Sequence, residues 1–497
     1  MSTHLLAIDL GAESGRGVLG AFERERLVCR EIHRFPNGGV RILEREYWDI
    51  FRIAAEVKVA VGKAVEAASG ERLASIGVDS WAVDFGLVGR SGELIGGVHH
   101  YRDSRTEGVM ERVFSVVPAA EIYRLTGVQF LPFNTIYQLV ALKEAEPRLL
   151  AAADTLLMVG ELITYFLTGE RVAEFTNATT TQLFEADAKR WSERLFTALD
   201  LPREIMPAVV PAGTRVGPLL RAVAEETGAH GAAVVLPAVH DTGSAVAAVP
   251  GEGENWAYIS SGTWSLVGLE LPEAILTEES RSLNISNEGG VFGTYRFLKN
   301  VMGLWLIQEC RRAWQREGYD EDYAALARLA QEAEPLVAHI DPDDPRFFRP
   351  GEMPARILAY LKERGQPLPA SRGALVRCIL ESLALKYRYV LEQLQKASGR
   401  SVDVIHIVGG GARNELLNQM TADATGCTVI AGPYEATAVG NLIVQGIGLG
   451  LIEDLKAARA LVRRSFPVAT YAPQRSAAWD EAYARFCELI QGRAVES

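Results

Sequence analysis

Two carboxylates close apolar runs in this chain, and their neighbours are residues that handle protons and phosphates. Asp9 ends the stretch Leu5-Leu6-Ala7-Ile8-Asp9-Leu10-Gly11, and His240-Asp241-Thr242-Gly243-Ser244-Ala245 follows the apolar run Ala232–Val239. A carboxylate at a strand end, beside a histidine and a hydroxyl residue, can take the proton of an attacking alcohol, so Asp241 is the candidate general base. His240 is a candidate hydrogen-bond partner of a substrate; a satisfied core histidine is the other reading of it. Asp9 suits Mg2+ held through water, because hard cations prefer oxygen ligands and keep several waters.

Three glycine-rich turns could face phosphate or nucleotide. In Asp9-Leu10-Gly11-Ala12-Glu13-Ser14-Gly15-Arg16, glycines flank a turn where backbone N–H groups can approach an anion, and Ser14 adds a hydroxyl donor. An ordinary hairpin, with glycine supplying φ > 0, accounts for the same residues. Ser260-Ser261-Gly262-Thr263 would clamp the β- and γ-phosphates in a second hairpin of this kind, or is simply a serine-rich turn. Gly409-Gly410-Gly411, after a buried strand and before Asn414 at a helix start, would let a flat nucleotide lie on backbone, or merely permits tight packing.

Other chemistries fit less well. A P-loop requires Gly-Lys-Ser/Thr, and the Gly62-Lys63 pair is followed by Ala64. Gly15-Arg16-Gly17-Val18-Leu19-Gly20 matches a dinucleotide fingerprint but runs into a strand, not a helix. Asp241-Thr242-Gly243-Ser244 also has the form of an aspartic-protease loop, yet a second Asp-Thr/Ser-Gly to share its proton is missing.

Elements must place these residues. The opening reads strand, turn, strand, with Leu5–Leu10 and Gly17–Phe22, and a third strand over Leu27–Phe35. An amphipathic helix follows from Trp48-Asp49 to Ala68, with apolar residues at helical spacing. Strands are expected at Ser75–Val78, Phe85–Val88 and Ala232–Val239, helices through much of 108–168 with a stop at Gly169, and a polar loop at Phe175–Gln182. The opening pattern recurs at Trp256–Ile259 and Trp264–Leu269. Long helices then follow at Arg372–Ala397 and Asn414–Thr425, separated by the buried strand Val402–Val408. This predicts two related halves, 1–248 and 249–497, divided near the turn Pro250-Gly251-Glu252-Gly253.

Bulk properties bound the function. A chain of 497 residues exceeds a single ordinary core, and 48% hydrophobic with 23% charged residues is a globular composition. The net charge of −12 argues against a nucleic-acid partner, whose binding rests on neutralising phosphates. Scattered cysteines, no membrane-length apolar run and too short an apolar start for a signal sequence predict a cytoplasmic protein with reduced thiols and no membrane partner.

Read in order from end to end, Asp9–Arg16, Gly77–Phe85, Tyr101–Thr106, Thr176–Gln182, His240–Ala245, Ser260–Leu266, Asn284–Gly290, Lys299–Gln308 and His406–Gly411 resemble the FGGY carbohydrate kinases of the actin/hexokinase/Hsp70 superfamily. The resemblance implies an α/β fold of two actin-like (ribonuclease H-like) domains with a central inter-domain cleft. In that scheme 1–248 binds sugar and supplies the base, and 249–497 binds nucleotide. It implies ATP and Mg2+ as cofactors and transfer of the γ-phosphoryl group to O1 of a ketose, L-rhamnulose, by a monomer or small homo-oligomer. Kinases of L-fuculose or L-xylulose, and a non-transferring ATP-dependent binding protein, are the alternatives. Carried over by motif, Asp241 is the proton acceptor, and His240, Asp241, Thr242, Asn300 and the backbone at Ala82 contact the sugar. Ala12, Glu13, Ser14, Gly15, Arg16, Thr263, Gln308 and Gly410 line the ATP site. Three departures stand out: Ala82 where the pattern has Gly, Glu13 where it has a small hydroxyl residue, and Val159-Gly160-Glu161 where it has Pro-Asp.

Overall fold

The alternation of apolar runs and small-residue turns at the N-terminus builds a meander. Strands β1 (His4–Leu10), β2 (Ser14–Glu23) and β3 (Arg26–Pro36) pair antiparallel in sequence order. Helix α1 (Ile50–Ala67) starts where Asp49 accepts from Arg52 N at 3.2 Å, and its stripe Ile50, Ile53, Val57, Ala60, Val61, Ala64 is buried at helical spacing. The chain then returns as β4 (Leu73–Ser80), parallel to β1, so that Asp9 and Asp79 are register partners at adjacent strand ends. Helix α2 (Val159–Thr168) stops at Gly169, whose φ of 80° is a left-handed cap. Strand β5 (Arg215–Pro218) pairs antiparallel with β6 (Ala233–Val235), which runs parallel to β4. The sheet order is therefore β5-β6-β4-β1-β2-β3. A smaller sheet joins Phe85–Gly89 to Ala153–Met158 and Leu94–Ile95 beside a second, largely helical core.

The computed structural model describes residues 3–23, 25–474 and 476–492. They divide into two units, one within 3–250, 270–297 and 436–466, the other within 251–269, 298–435 and 467–492. The linear halves 1–248 and 249–497 thus do not map one-to-one onto units. The helix Ala436–Gly448 packs on β1 and β4, and the strand Ser286–Gly289 also lies in the first unit. Packing of that late helix is backbone-close: a Cβ on Gly440 would lie 1.7 Å from Ser244 O.

The run Ala232–Val239 is a strand only over Ala233–Val235, because Pro237 has no N–H to give a ladder. His240-Asp241-Thr242 is not a turn either. Asp241 opens helix α3 (Asp241–Ala247), with His240 as its N-cap. The segment Phe175–Gln182 is likewise helical: Phe175–Ala178 and a 3-10 turn, Thr179–Thr181, both almost wholly buried. The Thr179, Thr180 and Thr181 hydroxyls bond back to the carbonyls three residues earlier, which lets polar residues pay their own desolvation.

The second unit repeats the plan. Strand β7 (Trp256–Ser261) pairs antiparallel with β8 (Trp264–Leu271), and beyond β8 lies β9 (Tyr295–Met302). Helix α4 (Arg372–Ser398) runs from the Ser371 cap to Gly399 at φ 70° and leads to β10 (Val404–Val408), parallel to β7. Helix α5 (Glu415–Thr425), capped by Asn414, leads to β11 (Thr428–Ala431), parallel to β10, and β12 (Ala469–Tyr471) closes the edge antiparallel. Both units therefore place two parallel joints beside an antiparallel hairpin. Among the described residues no helix is long and apolar enough to cross a membrane.

Candidate functional site

Three carboxylates gather in the first unit. Arg16, opposite Asp9 in the β1–β2 register, donates through Nε at 2.9 Å and Nη2 at 2.6 Å, both to Asp9 Oδ2. Asp79 is fully buried; it accepts from Asn441 Nδ2 at 2.5 Å through Oδ2, while Oδ1 has no partner among the described residues. Burial raises its carboxyl well above the usual range, and the charges of Asp9 and Asp241 add to the rise against the Asn441 bond. A polar ladder supports it: Gln445 Nε2 donates to Asn441 Oδ1 at 2.6 Å and to Leu6 O at 3.0 Å, and Ser75 donates to Gln445 Oε1 at 2.6 Å. Gly77 makes room for this ladder, since a Cβ there would lie 2.6 Å from Asn441 Oδ1. Asp79 carries no signal of its own in the sequence beyond its place in Gly77–Phe85, and nothing there points to Asn441 or Gln445.

Asp241 is half-buried at the start of α3. Thr242 N at 2.6 Å and Thr242 Oγ1 at 3.2 Å both donate to Oδ1, and His240 Nε2 lies 3.5 Å from the same oxygen. Desolvation raises the carboxyl above its ordinary range; His240 lowers it, Asp9 raises it and the Thr242 bonds lower it, leaving a net rise. Among the described residues no hydrogen bond reaches Oδ2, so that oxygen is available to a substrate hydroxyl.

The stretch before Asp241 is held by the Thr-rich segment. Glu174 Oε2 accepts from Val239 N and from Thr176 N at 3.0 Å each, and from the Thr176 hydroxyl, which in turn accepts from His240 N at 3.2 Å. Glu161 Oε1 accepts from Glu174 N at 3.0 Å and Oε2 from Asn177 Nδ2 at 2.8 Å. Burial pushes both Glu161 and Glu174 up to about 7. The departure Val159-Gly160-Glu161 is therefore structural: Glu161 anchors the segment that carries Thr176. On its other side His240 meets a buried ion pair, Glu288 of the stretch Asn284–Gly290 and Arg296, which the sequence reading did not single out.

Ser80 N donates to Val239 O at 2.8 Å and Ser80 bridges to His240, which brings the 81–84 turn beside the His240-Asp241 stretch. Ala82 is half-buried there, and Val83 takes a φ of 68°. Asp84 braces the turn: its carboxylate accepts from Trp48 Nε1 (2.7 Å), Trp81 Nε1 (3.0 Å), Tyr101 N (3.1 Å) and Gln138 Nε2 (2.8 Å). Burial outweighs those bonds and pushes it up to about 6.

The first hairpin departs from the reading in which its glycines supply φ > 0. Neither Gly11 nor Gly15 has positive φ. Gly15 is needed for packing, since a Cβ would lie 2.1 Å from the Phe35 ring. Residues Ala12, Glu13 and Ser14 are half-exposed where β1 turns into β2, tied down by Asn37, whose N and Nδ2 donate to Glu13 O and Gly11 O at 2.9 and 2.8 Å.

In the second unit the glycines differ one from another. Gly409 has φ 86° and its Cβ would meet Ser261 O at 2.9 Å; Gly411 would meet Ser261 Oγ at 2.1 Å; a Cβ on Gly410 meets nothing within 4 Å. Gly410 thus presents open backbone on a platform built by its two neighbours. The carbonyls of Gly262 and Thr263 accept from Leu304 N (3.0 Å), Gly303 N (3.1 Å) and Trp305 N (3.2 Å), which fixes this hairpin to the start of the helix Trp305–Arg316. On that helix Gln308 keeps a buried Oε1 with no partner among the described residues. Asn300 sits half-exposed in β9.

Comparisons with known proteins agree with this architecture. The FGGY family of carbohydrate kinases matches as two domain models, the N-terminal domain over residues 4–248 and the C-terminal domain over 257–449. A rhamnulokinase of Bacteroides thetaiotaomicron is 44% identical over 491 residues, 99% of this chain and 100% of its own. One from Oceanobacillus iheyensis is 43% identical, covering 94% of this chain and 98% of its own. Among solved structures, ligand-bound xylulose kinase from Lactobacillus acidophilus has a TM-score of 0.80 at 16% identity, with 99% of each chain covered. Plasmodium falciparum glycerol kinase with ADP has 0.77 at 14% identity, covering 100% of this chain and 99% of its own. At such low identity these two establish the fold.

Proposed function

The chain belongs to the FGGY family of carbohydrate kinases and so uses ATP, and from that premise we propose that it transfers the γ-phosphoryl group of ATP to O1 of L-rhamnulose. Asp241 carries the reading: a carboxylate with one oxygen held by Thr242, the other open, and an affinity for protons above the ordinary carboxylate. Such a group orients the ketose hydroxyl and removes its proton as the bond to phosphorus forms. The support for L-rhamnulose over other ketoses is the name borne by relatives that match nearly end to end at 40–44% identity.

Roles divide by unit. His240, Thr242 and the Ala82 backbone contact the sugar. Thr263, Gln308 and Gly410 contribute to the nucleotide site. Gln308 Oε1 suits a donor on the nucleotide, and the open backbone at Gly410 suits a flat base or ribose. Asp9 would hold Mg2+ only through water, because both Arg16 nitrogens already converge on its Oδ2. Among the described residues no group of three or more His, Cys, Asp or Glu side chains is arranged to hold a metal, which fits an ion carried by the nucleotide phosphates. Mg2+ so bound supplies charge neutralisation to the group in transfer. The transition state is loose, so positioning and electrostatics, not covalent chemistry, are what these residues provide.

Asp241→Asn tests the assignment. It should cut sugar-dependent turnover by roughly a hundredfold or more while ATP binding and unfolding midpoint stay near wild type. Turnover within a few-fold of wild type would remove Asp241 from the role.

A further inference from the structure

The buried Glu288–Arg296 pair has no task in the scheme above. Arg296 is wholly inaccessible; its Nε donates to Gly289 O at 2.9 Å, which fixes the guanidinium plane, and its Nη2 lies 2.9 Å from His240 Nδ1. Glu288 Oε2 lies 3.2 Å from Arg296 Nη2 and 3.3 Å from His240 Nδ1, in charge contact but without hydrogen-bond alignment to either. Its other oxygen accepts from Ser286 at 3.2 Å.

We propose that Arg296, clamped by Glu288, is a positioning residue that fixes the His240 ring with its proton on Nε2, directed at Asp241 and the acceptor hydroxyl. The inference rests on the roles given to His240 and Asp241 above. A guanidinium has donors only, so at 2.9 Å the Nδ1 atom must be the acceptor. The hydrogen bond at one ring nitrogen sets which nitrogen carries the proton, so the ring proton sits on Nε2. Nε2 is 3.5 Å from Asp241 Oδ1. The opposite tautomer would turn a lone pair toward that carboxylate and set Nδ1–H against Arg296 Nη2 at 2.9 Å, with only the longer 3.3 Å approach to Glu288 Oε2 to receive it. Glu288 balances the arginine's charge, which lets a cation serve as a hydrogen-bond donor in the core without a net buried charge. Burial raises the Glu288 carboxyl, but the charge of Arg296, followed by His240 and Ser286, brings it down to about 2.

The test is 15N–1H correlation at pH 8 on the full chain labelled with 15N-histidine, in which eight histidines report and a His240→Asn variant assigns the signal. Wild type should show the Nε2–H pattern at His240. Arg296→Met alone would strand Glu288, so the main variant is Glu288→Gln/Arg296→Met, with Arg296→Lys as the conservative rescue. The double variant should unfold cooperatively and keep its KM for ATP. In it His240 should populate Nδ1–H, and kcat for the ketose should fall roughly ten- to a hundredfold. Arg296→Lys should restore the Nε2–H pattern and part of kcat. A wild-type protein with Nδ1–H, or a double variant that switches tautomer at wild-type kcat, overturns the inference and leaves the sugar-kinase reading standing. An Asp241→Asn enzyme of unimpaired turnover overturns that reading and leaves the tautomer assignment to the spectra.

Discussion

Equivalent strand ends are finished differently in the two units. In the first, the parallel pair β1 and β4 ends in Asp9 and Asp79, and the stretch after β6 leads to Asp241. In the second, the parallel pair β7 and β10 ends in Ser260-Ser261-Gly262 and Gly409-Gly410-Gly411. The first set is acidic, the second neutral backbone and hydroxyl. One sheet plan, used twice, thus presents two different chemistries through what is placed after the strands.

The contrast can be broken most severely at Asn441. Asn441→Ala would leave Asp79 Oδ2, Gly77 O and Gln445 Nε2 short of partners in the core, a loss of roughly 3–5 kcal/mol in urea unfolding. A loss under 1 kcal/mol would mean that the ladder is not what tolerates Asp79. On the glycine side, Gly411→Ala forces a methyl group into Ser261 and should cost roughly 1–3 kcal/mol, whereas Gly410→Ala should leave stability within about 0.5 kcal/mol and raise the KM for ATP instead. Equal effects on stability at the two positions would deny Gly410 its separate role.

The smallest effect concerns pH. Glu161 titrates near 7 in the folded chain against an ordinary 4.5, so its contribution to stability is complete below the unfolded value and is lost as pH climbs toward 7. Glu161→Gln should therefore gain on wild type between pH 5 and pH 8, by roughly 1–2 kcal/mol in unfolding free energy, part of the proton uptake being shared with Glu174. A pH-independent difference would show that burial does not govern this carboxyl.

Local signals carried much of this fold. The strand, turn and strand of the opening, the Asp49 cap of α1, the Gly169 stop and the long helix at 372–398 follow from spacing and capping chemistry visible over a few residues. What spacing could not supply was pairing at a distance. Asp241 reads as a turn residue because small hydroxyl residues favour turns, yet Thr176 and Glu174 hold the chain before it so that a helix can start. Phe175–Gln182 reads as loop because it is polar, but its hydroxyls satisfy the segment's own carbonyls inside the core. Asn441, Glu288 and Arg296 reach the first unit from far along the chain, and no periodicity records that journey. Gly15 was legible as a glycine that mattered, though its reason is the Phe35 ring.

The most direct test of the central claim is ADP release from Mg-ATP, measured with L-rhamnulose, with L-fuculose or L-xylulose, and with no sugar. ADP should form quickly only when ketose is present, with the highest kcat/KM for L-rhamnulose and equimolar 1-phosphate as product. ADP release indifferent to any ketose would contradict the account.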